Sequence, residues 1–231
     1  MARGVYETEL PSEAMPAATV VLLRNAPNGF ELLLVQRAAE LAYHGGAWVF
    51  PGGRVEPADR EGNGEELAVA RKAAVRELAE EAGLKLSAED LLPLAHWTTP
   101  KGRARCFATW FFLAQVTTGD VRVDGREIKD HLWTTPAAAL ALRAAGELVL
   151  PAPTFVTLVG LSAYADRTAA VAAVAGRVPE VFQPRPRQVE GGVCSLYDGD
   201  VAYSEGDLDR PGPRHRLWML DRGWRYERSD R

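Results

Sequence analysis

The sequence predicts an α+β fold, strands with a few helices packed on them. Three observations lead there. Two apolar runs near the start flank the turn-forming segment NAPNG, as in a hairpin. Residues 65–84 carry apolar side chains at helical spacing. The closing stretch, residues 214–228, reads as a second hairpin around Asp221-Arg222-Gly223.

Residues 1–16 are an irregular lead-in with Pro11 and Pro16. AATVVLLR (17–24) is a continuous β-branched run of the kind that forms a buried strand, and FELLLVQR (30–37) is its partner. AWVF (47–50) is a short strand that stops at Pro51-Gly52-Gly53, and RVEPADREGNG (54–64) is a polar loop. In the helix over 65–84, Leu67, Ala70, Ala74, Val75, Leu78 and Ala82 share one face. Gly83 supplies a left-handed stop, and Leu84 the accompanying apolar contact. LPLAHWTT (92–99) and RCFATWFFLAQV (105–116) are strands around Pro100-Lys101-Gly102, and EIKDHLWTT (127–135) is another. Pro136 opens a helix, and residues 153–176 hold two more. No internal repeat is visible.

The composition bounds the class. Of 231 residues, 47% are apolar and 25% charged, the balance of a globular protein with its own core. A net charge of −4, from 27 basic and 31 acidic residues, speaks against a broad nucleic-acid-binding surface. Cys106 and Cys194 offer no zinc-ligand spacing and read as reduced thiols, which fits a cytoplasmic location. Acids and prolines stand where a signal peptide needs an apolar run, and no stretch approaches the ~20 apolar residues of a membrane span.

The helix carries an electrostatic conflict. Glu77, Glu80 and Glu81 lie within one and a half turns, beside the apolar face. Glu77 and Glu81 repel at i,i+4, by about 0.2–0.5 kcal/mol. Glu80 and Glu81 also stand at the partly negative end of the helix, at about 0.3–1 kcal/mol each when exposed. Broken local rules mark functional sites. A hard divalent cation, magnesium or manganese, turns this repulsion into attraction, and magnesium shares its shell with substrate phosphates. A solvated acidic face is the plainer alternative. The Pro-Gly-Gly turn upstream and the glycine stop immediately after the acids weigh against it.

Gly53 followed by Arg76-Glu77-Leu78-Ala79-Glu80-Glu81-Ala82-Gly83-Leu84 resembles the signature of the Nudix hydrolase family. The second half matches at every fixed position, and the likeness covers residues ~17–145, about the usual size of a domain. Two features depart. Ala68 stands where the family has a glutamate that supports the arginine, with Glu65 or Glu66 as substitutes, and the loop after Gly53 is longer. The segment LLLVQRAAELAYHGGAWVFPGG, with SLYDGD and RHRLWML in the tail, is similar to the coenzyme A diphosphatase-like branch, especially its peroxisomal type. The arginine that precedes the histidine by two residues in the stricter coenzyme A signature is Ala42 here, before His44.

The resemblance implies an α/β/α sandwich with a mixed sheet over residues 17–150. Residues 151–231 are then an extension of helices and a hairpin packed on the same domain: a lid, a homodimer interface or a substrate-recognition element. It implies metal-dependent hydrolysis of a phosphoanhydride in a nucleoside-diphosphate-linked small molecule. Coenzyme A or its acyl esters are one expected substrate; ADP-ribose, a dinucleotide or a nucleoside triphosphate are others. A non-catalytic nucleotide-binding domain would be expected to have lost helix acids, and all three are present.

Glu77, Glu80 and Glu81 are the expected ligands of Mg2+ or Mn2+, and the resemblance adds the Gly52 carbonyl to them. The resemblance implies catalytic roles for Glu77 and Glu81 and a general base on a later loop, for which Glu127 is the candidate and Asp130 the runner-up. Arg76 is structural, pairing with Glu80 or a loop acid. Arg37, His44 and Gly53 are candidates for substrate contact, and Lys101 for phosphate steering. His96 and His131 read as structural, His215 has no partner spacing, and Trp48, Trp97, Trp110 and Trp133 read as core, any one of them open to stacking on a base.

Overall fold

The computed structural model describes residues 14–27, 29–62, 64–100, 105–117 and 120–229. The first two strands, β1 (Met15–Ala26) and β2 (Gly29–Arg37), form the expected hairpin, with Ala26 opposite Gly29. β1 starts inside the segment expected to be irregular, because Met15 and Pro16 find partners on β6 (Phe107–Gln115). β1 and β6 run parallel, and β5 (Leu92–Thr98) runs antiparallel to β6. β3 (Trp48–Val49) and β7 (Ile128–Thr134) both pair with β2. The glycine pair, expected as a turn, is instead the strand β4 (Gly52–Arg54), which pairs with β1. The sheet is therefore mixed, as expected.

Both faces of this sheet are covered, which is why its strands read as unbroken apolar runs rather than as alternating ones. On β1, Ala18, Val20 and Leu22 face one layer, and Val21 and Leu23 face the other. The first layer is the single helix α1 (Glu66–Ala82), through Ala70, Ala73, Ala74, Leu78 and Ala82. The second is α2 (Pro136–Ala144), α3 (Ala152–Leu161) and α4 (Arg167–Ala175). Thr135 and Asp166 cap α2 and α4 by accepting from Ala138 and Ala169 N–H. At the C-terminal end of α1, Gly83 has φ 69° and Leu84 joins the core, as the sequence predicts.

The extension holds more strand than expected. β8 (Glu180–Phe182) adds to the main sheet beside β5. β9 (Arg185–Val189), β10 (Gly192–Leu196), β11 (His215–Leu220) and β12 (Gly223–Arg228) form a separate antiparallel sheet. The β11–β12 turn falls at Asp221-Arg222, the expected place. Tyr197 and Leu217 enter the same apolar cluster as α2 and α3, and Trp224 and Tyr226 pack against it. Trp97 stacks on Phe182 at 3.9 Å, which locks β8 to the sheet. His215, for which spacing offered no partner, is buried, with Nδ1 2.6 Å from the Asp198 carbonyl and Nε2 2.7 Å from the Tyr226 hydroxyl.

Candidate active site

The acidic end of α1 faces β4 and the end of β2. The three glutamates are placed differently. Glu81 is 5% exposed; its Oε2 accepts from Gly52 N–H at 2.8 Å, and its Oε1 lies 3.9 Å from the Arg37 guanidinium. Glu77 is half-buried against Gly53, where any β-carbon would collide with its carboxylate. Glu80 is exposed. Burial pushes the Glu81 carboxyl up to about 8, against the pull of the Gly52 hydrogen bond, and the charge on Glu77 adds to the rise. Burial also raises Glu77, with Arg76 opposing it. Two carboxylates are thus held where their charges lack full compensation.

Arg76 has a more definite place than the sequence suggested. Its guanidinium donates to both oxygens of Asp59, at 3.1 and 2.9 Å, to the Arg54 carbonyl at 2.9 Å, and to Glu77 and Glu80 at 2.9 and 3.0 Å. Burial disfavours ionisation of Asp59, yet the Arg76 hydrogen bonds, the Glu56 N–H and the charges of Arg76 and Lys72 together outweigh it and hold the carboxyl below its ordinary range. Asp59 belongs to a short 3-10 helix, Pro57–Arg60, in the loop expected to be irregular. The supporting acid therefore comes from the lengthened loop. Glu65 and Glu66, the expected substitutes, are exposed, as is Ala68.

Glu127 precedes β7, and its charge reaches both Glu77 and Glu81, raising each. The carboxylate of Asp124 accepts from the backbone N–H of Arg126, Glu127 and Ile128 and so fixes the turn that presents Glu127. Asp130, the runner-up, bonds the backbone N–H of His131 at 2.7 Å. Arg37 donates to the Tyr43 carbonyl at 3.2 Å. His44 has φ 54° and sits beside Tyr43, ring centroids 4.2 Å apart. Burial and the nearby Arg37 charge push His44 below its usual range. The geometry thus gathers Glu77, Glu81, Glu127, Arg37, Gly52 and Gly53, with Arg76 behind them. Lys101 lies outside the described residues. Asp59, Asp124 and Tyr43 were not singled out from sequence; only the Asp-Gly turn at Asp124 carried a signal.

A divalent cation fits this chemistry. The donors are hard carboxylate oxygens, and positive charge relieves the burial of Glu77 and Glu81. Among the described residues no three His, Cys, Asp or Glu stand close enough together to share an ion. Arg76 engages Glu77 and Glu80, and Glu81 is turned to the Gly52 amide. For one ion to be shared by all three glutamates, their side chains would have to move from these contacts.

A measurable consequence follows for chelated protein. Glu81 titrates near 8 when folded and near 4.5 as an ordinary carboxyl. Its contribution to stability is full below about 4.5 and is lost as pH rises through about 8. Melting temperature in chelator is therefore expected to fall over that window, and excess Mg2+ is expected to flatten the fall.

A helix-end carboxylate pair faces the glycine strand β4, on a mixed sheet between helical layers. The chain belongs to the Nudix family: the NUDIX domain matches residues 14–152. It is a pyrophosphohydrolase of that type, a class that uses divalent cations and acts on small-molecule diphosphates. Among solved structures, a NUDIX hydrolase from Alicyclobacillus acidocaldarius is similar at 24% identity and TM-score 0.63, over 72% of this chain and 99% of that one. The NUDIX domain of Shewanella oneidensis NrtR, complexed with ADP ribose, is similar at 18% identity and TM-score 0.51, over 69% and 92%. Both likenesses are of fold. No curated protein sequence matches. No helix among the described residues is long and apolar enough to cross a membrane.

Proposed function

We propose that the chain hydrolyses the diphosphate bond of a nucleoside-diphosphate-linked small molecule, with coenzyme A or an acyl ester of it as the first substrate to test. The observation that carries the metal assignment is the burial of Glu81, a carboxylate with one backbone donor and a distant Arg37. Glu77, Glu80, Glu81 and the Gly52 carbonyl would hold Mg2+ or Mn2+, which supplies Lewis-acid polarisation of the diphosphate and lowers the pKa of water. Glu127 accepts the proton of the attacking water. Arg37 and His44 orient the substrate, and Gly53 keeps the space that the Glu77 carboxylate fills. The sequence likeness around His44 supports coenzyme A. ADP-ribose, which the Shewanella domain binds, is the second reading, ahead of dinucleotides and nucleoside triphosphates.

The test is incubation with Mg2+ or Mn2+ and each of coenzyme A, acyl-coenzyme A, ADP-ribose, NADH, diadenosine polyphosphates and nucleoside triphosphates. Phosphoanhydride cleavage fastest with coenzyme A or its acyl ester is expected. Cleavage of ADP-ribose alone would move the assignment to the second reading, and cleavage of none would refute both. Gly53→Ala is expected to leave the fold intact, since its methyl group meets the tip of a side chain. By displacing the Glu77 carboxylate it should lower turnover about 10- to 100-fold and raise the metal concentration needed for half-maximal rate.

A further inference from the structure

On the sheet face away from α1, a cleft of about 500 Å³ lies between α2, α3 and the β11–β12 turn. That is within the size range of small-molecule sites. Leu140, Val159 and Leu220 form its apolar wall. Arg143 reaches into it from α2, with its guanidinium 3.9 Å from the centre of the Trp224 ring and 5.3 Å from that of Phe155. The Arg143 Nε is buried and has no hydrogen-bond partner. No carboxylate forms an ion pair with Arg143 among the described residues. A buried donor left unbonded is destabilising, the more so on a charged group. Stacking on Trp224 offsets part of that cost but satisfies no N–H.

We propose that this cleft binds a small amphiphilic carboxylate, its head on the Arg143 guanidinium and its apolar body along Leu140, Val159 and Leu220. The rim sets the charge. Arg222 and Asp221, both in the β11–β12 turn, cancel, so the cleft presents one net positive charge, from Arg143. One net positive charge matches a monoanion better than a phosphate dianion. A guanidinium is planar and takes a carboxylate through two parallel N–H bonds, and that of Arg143 lines the cleft 3.9 Å from the centre of the Trp224 ring. The catalytic glutamates stand on the other side of the sheet, in the α1 layer.

The probe is decanoate, with decanol and decylamine as uncharged and cationic controls, measured by calorimetry on the whole chain. Decanoate is expected to bind at least about tenfold more tightly than decanol, the difference one charge-assisted pair supplies. Arg143→Gln is expected to abolish that preference, and Arg143→Lys to retain part of it. Val159→Phe fills the cleft without touching a charge and is expected to weaken decanoate and decanol alike. It keeps the test open should Arg143→Gln fail to fold. Diphosphate hydrolysis by Val159→Phe is expected to match wild type. Equal binding of decanoate and decanol, no binding of decanoate, or full binding by Val159→Phe would each overturn the proposal.

Discussion

Glu81→Gln is expected to lower turnover by about 10²- to 10³-fold while the protein stays folded. Gln keeps the volume of Glu and still accepts from Gly52 N–H, the bond that seats the side chain at 2.8 Å. It loses the charge, and the charge is what a cation answers. The same loss removes the burial penalty that pushes Glu81 up to about 8. The metal-free variant should therefore melt no lower than wild type, and higher at alkaline pH. Two readouts thus move in opposite directions, activity down and apo stability level or up. A merely structural Glu81 would lower both. Wild-type turnover by the variant would remove Glu81 from the metal set.

The largest stability effect is expected far from that site, at Asp200. Its carboxylate is fully buried and accepts from Arg216 Nε at 2.7 Å and Nη2 at 2.6 Å. It also accepts from the backbone N–H of His215 and Ala202, each at 2.8 Å. These bonds hold its pKa below the ordinary range despite burial. Asp200→Ala leaves the Arg216 guanidinium, 2% exposed, without its counter-charge. Removing one partner of a buried pair costs about 3–5 kcal/mol. In a chain this long that is a fall in melting temperature of roughly 6–20 °C. The double variant Asp200→Leu, Arg216→Met removes both charges and should lose less than Asp200→Ala alone. The fall is read by calorimetry; an unchanged midpoint in Asp200→Ala would mean that the pair contributes little to the fold.

The parts of the molecule legible in sequence are those fixed by local periodicity. The α1 face, its Gly83 stop and the β1–β2 hairpin follow from spacing and turn chemistry within short windows. The crowding of Glu77, Glu80 and Glu81 is likewise a property of one helix. Asp59 was hidden because its role exists only once the lengthened loop folds back onto Arg76, 17 residues away. Position 68, where a glutamate was expected, is exposed and holds alanine. β9 was not anticipated because Arg185-Pro186-Arg187 sets a proline between two charged residues, although Glu190-Gly191 forms a two-residue turn between β9 and β10. Proline is tolerated there because β9 is an edge strand. β4 was hidden for a related reason: a glycine pair carries turn propensity, and only pairing with β1 overrides it.

The most direct test of the whole account is anomalous diffraction from crystals of the chain soaked in Mn2+. A peak within bonding distance of the Glu77, Glu80 and Glu81 carboxylates and the Gly52 carbonyl is predicted, with Arg76 still on Asp59. Density showing those carboxylates unchanged and manganese bound nowhere near them would contradict it.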